Sequence, residues 1–257
     1  MPIIIADTVL MIFVFTSFVF ILSILMKRND IADIAWGVGF ILIAVFLIKE
    51  KRPSITDIEI VVYSLVVIWG LRLSLYLLSR TFRKQEDFRY RKWREAWGRW
   101  VYLRSFFQVY LLQGGLMMVI SAPMFVVFSG EKGDLAPICY VGIMLWTTGF
   151  FFEVVGDWQK SQFKKTAKVG DVLQTGLWKY SRHPNYFGEI LIWWGIYLVT
   201  LPVEGGVWGL VSPVLITWLL IRVSGISMLE KKYEGNSVYD EYKRRTSSLI
   251  PWIPMKK

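Results

Sequence analysis

The 257-residue chain is 54% hydrophobic, contains 13 tryptophans and has a mean hydropathy of +0.44, which excludes an ordinary water-soluble globular domain. Its single cysteine and single histidine exclude an intramolecular disulfide, a zinc site or a histidine-rich iron site of the usual ligand count, and with them the membrane desaturases, hydroxylases and metalloproteases. The net charge of +10 collects in segments between apolar runs, as loops facing anionic lipid headgroups would have it.

Seven apolar runs, near residues 3–26, 31–48, 57–79, 101–128, 135–156, 186–201 and 206–229, predict an all-α, polytopic membrane helix bundle of about seven transmembrane helices in one domain over 1–257. The first run lacks a basic leader and a small-residue cleavage site, so it reads as a retained helix. In the second run Asp33, Trp36, Gly37 and Phe40 share one helical face, with Asp30 before them as a helix cap. A buried Asp33 that stayed neutral would donate a hydrogen bond or proton to a carbonyl, and its two neighbouring glycines, Gly37 and Gly39, would leave space for a flat apolar molecule.

The third run carries Arg72, Tyr76, Arg80 and Arg83 at three- and four-residue spacing, a polar stripe on an apolar helix. Either these arginines pair with acids inside the bundle or they clamp phosphates in a cavity. The loop 80–100 follows, basic with interleaved tryptophans; tethered between two helices it makes a poor nucleic-acid platform and reads as an interfacial skirt or a cover for a nucleotide. The fifth run holds Cys139, as a small apolar side chain, and ends with Glu153 and Asp157.

Residues 176–189, GLWKYSRHPNYFGE, crowd charge against the next apolar run. Pro184 opens a helix, which sets Asn185, Glu189 and Trp193 along one face. The preceding Arg182 and His183, and Tyr186, belong to the same stretch; Arg222 sits in the last run and Glu230 just beyond it. Short hairpins at 129–134 and 202–206 make antiparallel neighbours. Alternate connections collect 23 Lys and Arg on one side against four on the other, which places the N-terminus outside and the C-terminus in the cytoplasm.

Five segments together resemble the integral membrane steroid 5α-reductases and their relatives, the sterol reductases and the isoprenylcysteine carboxyl methyltransferases. They are ADIAWG at 32–37, GLRLSLY at 70–76, EDFRY at 86–90, the 176–189 stretch, and LEKKY at 229–233 with YKRRT at 242–246 and Ile250-Pro251. The likeness is greatest to bacterial proteins with a 5α-reductase-like domain of uncharacterised function, and it implies a multi-pass protein of the bacterial inner membrane. It implies that NADPH enters from the cytosol and is held by Asp157, Tyr180, Asn185, Glu189, Trp193 and Arg222, with Arg72, Arg80, Arg83, Lys164, Arg182, His183, Tyr186 and Glu230 completing the cofactor region. Lys164 stands where the family has arginine.

The steroid enzymes hold their ketone with a Gln-Glu pair and a tyrosine. Here Asp33 occupies the acidic region alone, Trp69 takes the tyrosine register, and Tyr76 is the nearest downstream phenol, so Asp33 and Tyr76 are the candidate catalytic pair. The expected partners are a lipophilic small molecule of sterol, fatty acyl or isoprenoid type and membrane lipids, with no metal and no nucleic acid. Two alternatives stay open: an S-adenosylmethionine-dependent methyltransferase, whose cationic cofactor a basic cavity disfavours, and a non-catalytic lipid-binding membrane protein.

Overall fold

The computed structural model describes residues 2–51, 55–81, 85–130, 135–168, 170–223, 225–231 and 233–255. Its regular elements are helices, and they divide into two compact units. Residues 1–135 with 203–209 form the first, containing α1 (Pro2–Met26), α2 (Ile31–Lys51), α3 (Asp57–Thr81), α4 (Phe88–Trp97), α5 (Val101–Ser105), α6 (Leu112–Ile120) and α7 (Ala122–Ser129). Residues 136–202 with 210–257 form the second, containing α8 (Pro137–Thr166), α9 (Pro184–Thr200), α10 (Val211–Trp218), α11 (Ile226–Lys231) and α12 (Ser237–Arg245).

Among the described residues six segments are long and apolar enough to cross a membrane: α1, α2, α3, residues 88–120, α8 and residues 206–231. The chain is therefore a multi-pass integral membrane protein. The expected run 186–201 forms α9, whose 17 residues make it shorter than these six. Two expected boundaries move. The loop anticipated over 80–100 contains the ten-residue α4, capped by the Asp87 carboxylate accepting from Arg89 N at 3.1 Å. The fifth run extends ten residues past 156 to Thr166, because the polar sequence after Gly156 contains no helix breaker.

In the first unit, α1 buries Thr8, Ile12, Thr16, Val19 and Ser23 along one stripe. The hydroxyls of that stripe are satisfied within the helix, Thr8 Oγ1 donating to Ile4 O at 2.7 Å, Thr16 Oγ1 to Ile12 O at 2.9 Å and Ser23 Oγ to Phe20 O at 2.7 Å, so these three face protein without stranded donors. A capping box opens α3: Glu59 Oε2 accepts from Thr56 N at 2.8 Å, and Glu59 N points back to Thr56 Oγ1 at 3.4 Å. Lys51 Nζ lies 3.6 Å from the other oxygen of this fully buried carboxylate.

Helices α2 and α3 meet at bare backbone. A Cβ placed on Gly37 would lie 2.6 Å from Gly70 O, and one on Gly70 would lie 2.8 Å from Gly37 O. The space that Gly37 was expected to leave for a flat molecule is thus occupied by α3, while Gly39 packs against Met117 Sδ. Further on, the helical path from α5 to α6 runs through a π-helical segment, Phe106–Leu111, and breaks at Ser121, where Pro123 enters the first turn of α7.

The second unit is organised by a glycine seam. Gly142, Gly149 and Gly156 recur every seventh residue on α8, and Gly188 and Gly195 do so on α9. A Cβ on Gly149 would fall 2.5 Å from Gly188 O, and one on Gly142 would fall 2.6 Å from Gly195 O. Seven-residue spacing keeps one stripe in contact along both helices, and the missing side chains let the backbones touch. That seam holds the first turn of α9 against the Gly156 turn of α8, where Cβ of Gly156 would meet Asn185 N at 3.3 Å.

Candidate functional site

In the first unit a polar network joins the start of α2 to α3 and α4. The Arg28 guanidinium donates twice to Asp30, at 2.7 and 2.9 Å, and once to Thr81 O at 3.0 Å. Asp30 also accepts from Asp87 N at 2.9 Å. Its side chain therefore ties α2 to the α4 entrance, and the capping role expected of it is not what it performs. Glu86 accepts from Asn29 N at 2.6 Å and from Arg94 at 2.9 Å.

Asp33 is enclosed by the EDFRY segment. Arg89 Nη2 donates to Asp33 Oδ2 at 2.8 Å, and the Tyr90 hydroxyl donates to Asp33 Oδ1 at 2.5 Å. Both carboxylate oxygens act as acceptors, the arrangement of a charge-assisted anchor. The hydrogen bond that Asp33 was expected to donate to a carbonyl is replaced by these two that it accepts. Burial pushes the Asp87 carboxyl up, but the charge and hydrogen bonds of Arg89, with Arg80 beyond, hold it below the usual carboxylate range.

Tyr76 lies between two cations one turn away on either side. The Arg72 and Arg80 guanidinium carbons stand 5.4 and 6.0 Å from its ring centre, and Arg80 is also within 3.7 Å of Asp87. The stripe expected on the third run thus exists as a stacked set rather than three independent phosphate clamps. Arg83 lies outside the described residues. Trp69, at the family's tyrosine register, is fully buried and packs edge-on against Phe40 at 5.4 Å.

In the second unit the 176–189 stretch is built as expected at its helix start, with Pro184 in the first turn and His183 as the cap residue. Arg182 departs from expectation. Its guanidinium gives two hydrogen bonds to Glu230 Oε1, at 3.0 and 2.8 Å, and Nη1 donates to Lys243 O at 3.0 Å and Thr246 O at 2.5 Å. Arg182 is 8% exposed. It clasps α11 and the end of α12 onto the start of α9, and the phosphate contact expected of it is replaced by these protein acceptors.

Glu230 likewise serves the clasp. Lys243 Nζ lies 3.3 Å from Oε2, and His183 Nε2 approaches Oε1 at 3.4 Å without hydrogen-bond alignment. Burial, the largest influence, pushes the His183 imidazole below its ordinary value against the opposing pull of Glu230. The imidazole stacks on Tyr186, ring centres 5.5 Å apart and nearly coplanar in tilt at 2°.

One turn into α9, Asn185 Nδ2 donates to the buried Asp157 Oδ1 at 3.2 Å. Asn185 Oδ1 is buried and accepts from no group among the described residues. Glu189 is half-buried and Trp193 fully buried farther along the helix. Tyr180, Lys164 and Arg222 are exposed. The structure thus brings Asp157, Asn185, His183 and Tyr186 to the head of α9. Sequence reasoning missed Arg89 and Tyr90 as the partners of Asp33, and the glycine seam; the seven-residue glycine repeat was the available signal.

The family model described as "Protein of unknown function (DUF1295)" matches residues 19–246, and the chain belongs to that family. Two curated relatives align with part of it. An uncharacterised protein of Schizosaccharomyces pombe is 24% identical over 157 residues, 52% of this chain and 46% of that protein. The 3-oxo-5-alpha-steroid 4-dehydrogenase 1 of Rattus norvegicus is 25% identical over 118 residues, 46% of this chain and 42% of that one. The matched stretch thus spans less than half the length of either relative. No solved structure matches.

Proposed function

We propose that this family member is a membrane-embedded, NADPH-dependent reductase of a carbon-carbon double bond, conjugated to a carbonyl, in a lipophilic sterol, fatty acyl or isoprenoid substrate. The observation that carries the reading is the Asn185 amide. Its NH2 group is committed to Asp157, and its buried oxygen has capacity for a donor. A carboxamide N–H is such a donor, so the residues at the head of α9 fit the nicotinamide end of the cofactor. The distant likeness to a steroid reductase supports the same class.

When bound, NADPH would supply a hydride for the β carbon of the enone, and a proton taken up from solvent would complete the α carbon. The chain's own part is to hold and polarise. Asp157 fixes the Asn185 amide, and Asn185 orients the ligand through its free acceptor. Within the first unit, Tyr76 is the candidate hydrogen-bond donor to a carbonyl oxygen on which negative charge develops. Asp33, engaged by Arg89 and Tyr90, acts as the anchor of this region rather than as the donor itself.

The test is thermal stability of the detergent-purified protein during titration with NADPH and, separately, with S-adenosylmethionine. A ligand that binds only the folded state raises the midpoint with occupancy. NADPH is expected to stabilise the wild type and not Asn185→Leu, which keeps the volume but removes the acceptor. Stabilisation by S-adenosylmethionine alone moves the assignment to methyl transfer, and stabilisation by neither favours the lipid-binding reading.

A further inference from the structure

The last residues of the second unit form an extended strap, and its apolar side chains point outward. Ile250, Trp252, Ile253 and Met255 are between 62 and 78% exposed, while Pro251 and Pro254 are half-buried. The strap is nevertheless fixed. Arg182 N donates to Ser247 O at 2.9 Å, Ser181 Oγ to Leu249 O at 2.7 Å, Trp252 N to Tyr180 O at 3.0 Å and Met255 N to Arg245 O at 3.1 Å. A backbone pinned this way cannot turn its apolar residues inward, so they need a partner other than the unit itself.

Its depth follows from one bond. Trp178 Nε1 donates to Gly156 O at 3.1 Å, which levels the 176–183 segment, and the strap hung on it, with the end of α8's apolar stretch. Trp158, one half-turn further along α8, is 60% exposed, and Tyr180 is 42% exposed. Aromatic rings at such a level belong in the interfacial zone of a bilayer, apolar on one side and wet on the other. The charge agrees. Residues 242–257 contain Lys243, Arg244, Arg245, Lys256 and Lys257 and no Asp or Glu, and Lys179 adds a cation above the Tyr180 ring at 5.8 Å.

We propose that Ile250–Met255 is an interfacial anchor that seats in the headgroup–acyl boundary of an anionic lipid bilayer. Trp252 and Ile253 enter the boundary, and the exposed Arg244 beside the strap meets lipid phosphate, whereas Lys243 and Arg245 are paired with Glu230 and Glu241. Because the Arg182 clasp links this strap to the start of α9, lipid engagement steadies the same segment that carries His183 and Asn185. The anchor does not depend on the reductase reading.

The test uses the full chain in proteoliposomes. With the buried Cys139 changed to Ser, Trp252→Cys and Ile253→Cys are labelled with an environment-sensitive fluorophore, alongside Glu234→Cys as an exposed control. The expected result is blue-shifted emission at 252 and 253, quenched severalfold more by shallow spin-labelled lipid than at 234, and weaker when phosphatidylglycerol is replaced by phosphatidylcholine. Water-like emission with iodide access overturns the proposal. A blue shift that lipid quenchers do not reach overturns it too, since protein then covers the strap. Equal quenching in both lipids overturns the anionic preference. Should Cys139→Ser not fold, hydrogen exchange of the Ile250 and Ile253 amides in the unaltered chain, in nanodiscs of each lipid, gives the same decision: no slowing relative to detergent refutes the anchor, and equal slowing in both lipids refutes the anionic preference.

Discussion

Replacing Arg182 by alanine separates the clasp from a ligand contact. In the wild type this side chain satisfies one carboxylate and two backbone carbonyls while 8% exposed. Removing it leaves Glu230 partly buried with Lys243 and His183 as its remaining partners among the described residues, and takes a donor from the Lys243 and Thr246 carbonyls. Breaking a buried pair from one side costs about 3–5 kcal/mol. The remaining lysine screens part of that, so about 3 kcal/mol is the expected loss. Thermal or denaturant unfolding in a fixed detergent, with no cofactor present, reads it directly. Arg182→Lys should recover only part, since a single ammonium cannot reach the carboxylate and both carbonyls in the guanidinium's fork. Arg182→Ala with Glu230→Gln should lose less than the single change, because no stranded charge remains. An unfolding midpoint like wild type in Arg182→Ala, with loss confined to ligand affinity, would refute the clasp and restore Arg182 to the phosphates.

Gly188→Ala should destabilise by about 1–3 kcal/mol, because its Cβ would sit 2.5 Å from Gly149 O and 2.7 Å from Glu153 N, backbone atoms that cannot step aside. Gly115→Ala, where a Cβ meets nothing within 4 Å, should be neutral or gain up to about 1 kcal/mol of helix propensity; equal behaviour of the two in thermal unfolding would dismiss the seam. For His183, burial lowers the folded-state value from the ordinary 6.5, so the unfolded chain takes up a proton first as pH falls. Stability is complete above about pH 6.5 and declines below it by up to ~1.4 kcal/mol per pH unit until the folded imidazole also titrates; His183→Gln should flatten that part of the profile. Tyr90→Phe removes a hydrogen bond to a carboxylate, and a loss of about 1.5–3 kcal/mol is expected, whereas Tyr76→Phe keeps both stacked guanidiniums and should stay within ~1 kcal/mol in the same assay.

The transmembrane plan was legible because its signal is compositional: a run of about 20 apolar residues is visible without any partner. The start of α9 was legible for a local reason, since Pro184 is compatible with a helix only near its first turn. The residues read less well are those whose meaning lies in what they face. Asp33 is one acidic residue in an apolar run, and nothing local distinguishes a neutral donor from an anchor. The difference is made by Arg89 and Tyr90, 56 and 57 positions away in the chain. Gly37 reads the same way whether it opens a cavity or admits another helix, and α3 decides it. Arg182 beside a membrane boundary looks like a phosphate ligand until the acceptors that fill its fork arrive from 48 to 64 residues later.

That distribution has a physical basis bearing on where ligand-binding residues are found. A buried charge persists only if its hydrogen bonds are met, so Arg28, Asp30, Asp33, Glu86, Arg89, Arg182 and Glu230 are spent on holding helix ends together. The groups left for a ligand are those whose capacity the fold does not exhaust. By that criterion Arg182 and Asp33 leave the list of direct contacts. The Asn185 oxygen stays on it, because Asp157 engages only the amide nitrogen and leaves a buried acceptor facing no donor among the described residues. A variant that fills this need internally makes the argument sharp. Asn185→Asp places a second carboxylate beside Asp157, which repulsion disfavours, so it should lower both stability and NADPH-dependent stabilisation. Asn185→Leu should lower only the latter beyond its loss of one hydrogen bond, about 1 kcal/mol. If Asn185→Leu binds NADPH as wild type does, the unsatisfied oxygen is a feature of packing and the cofactor lies elsewhere.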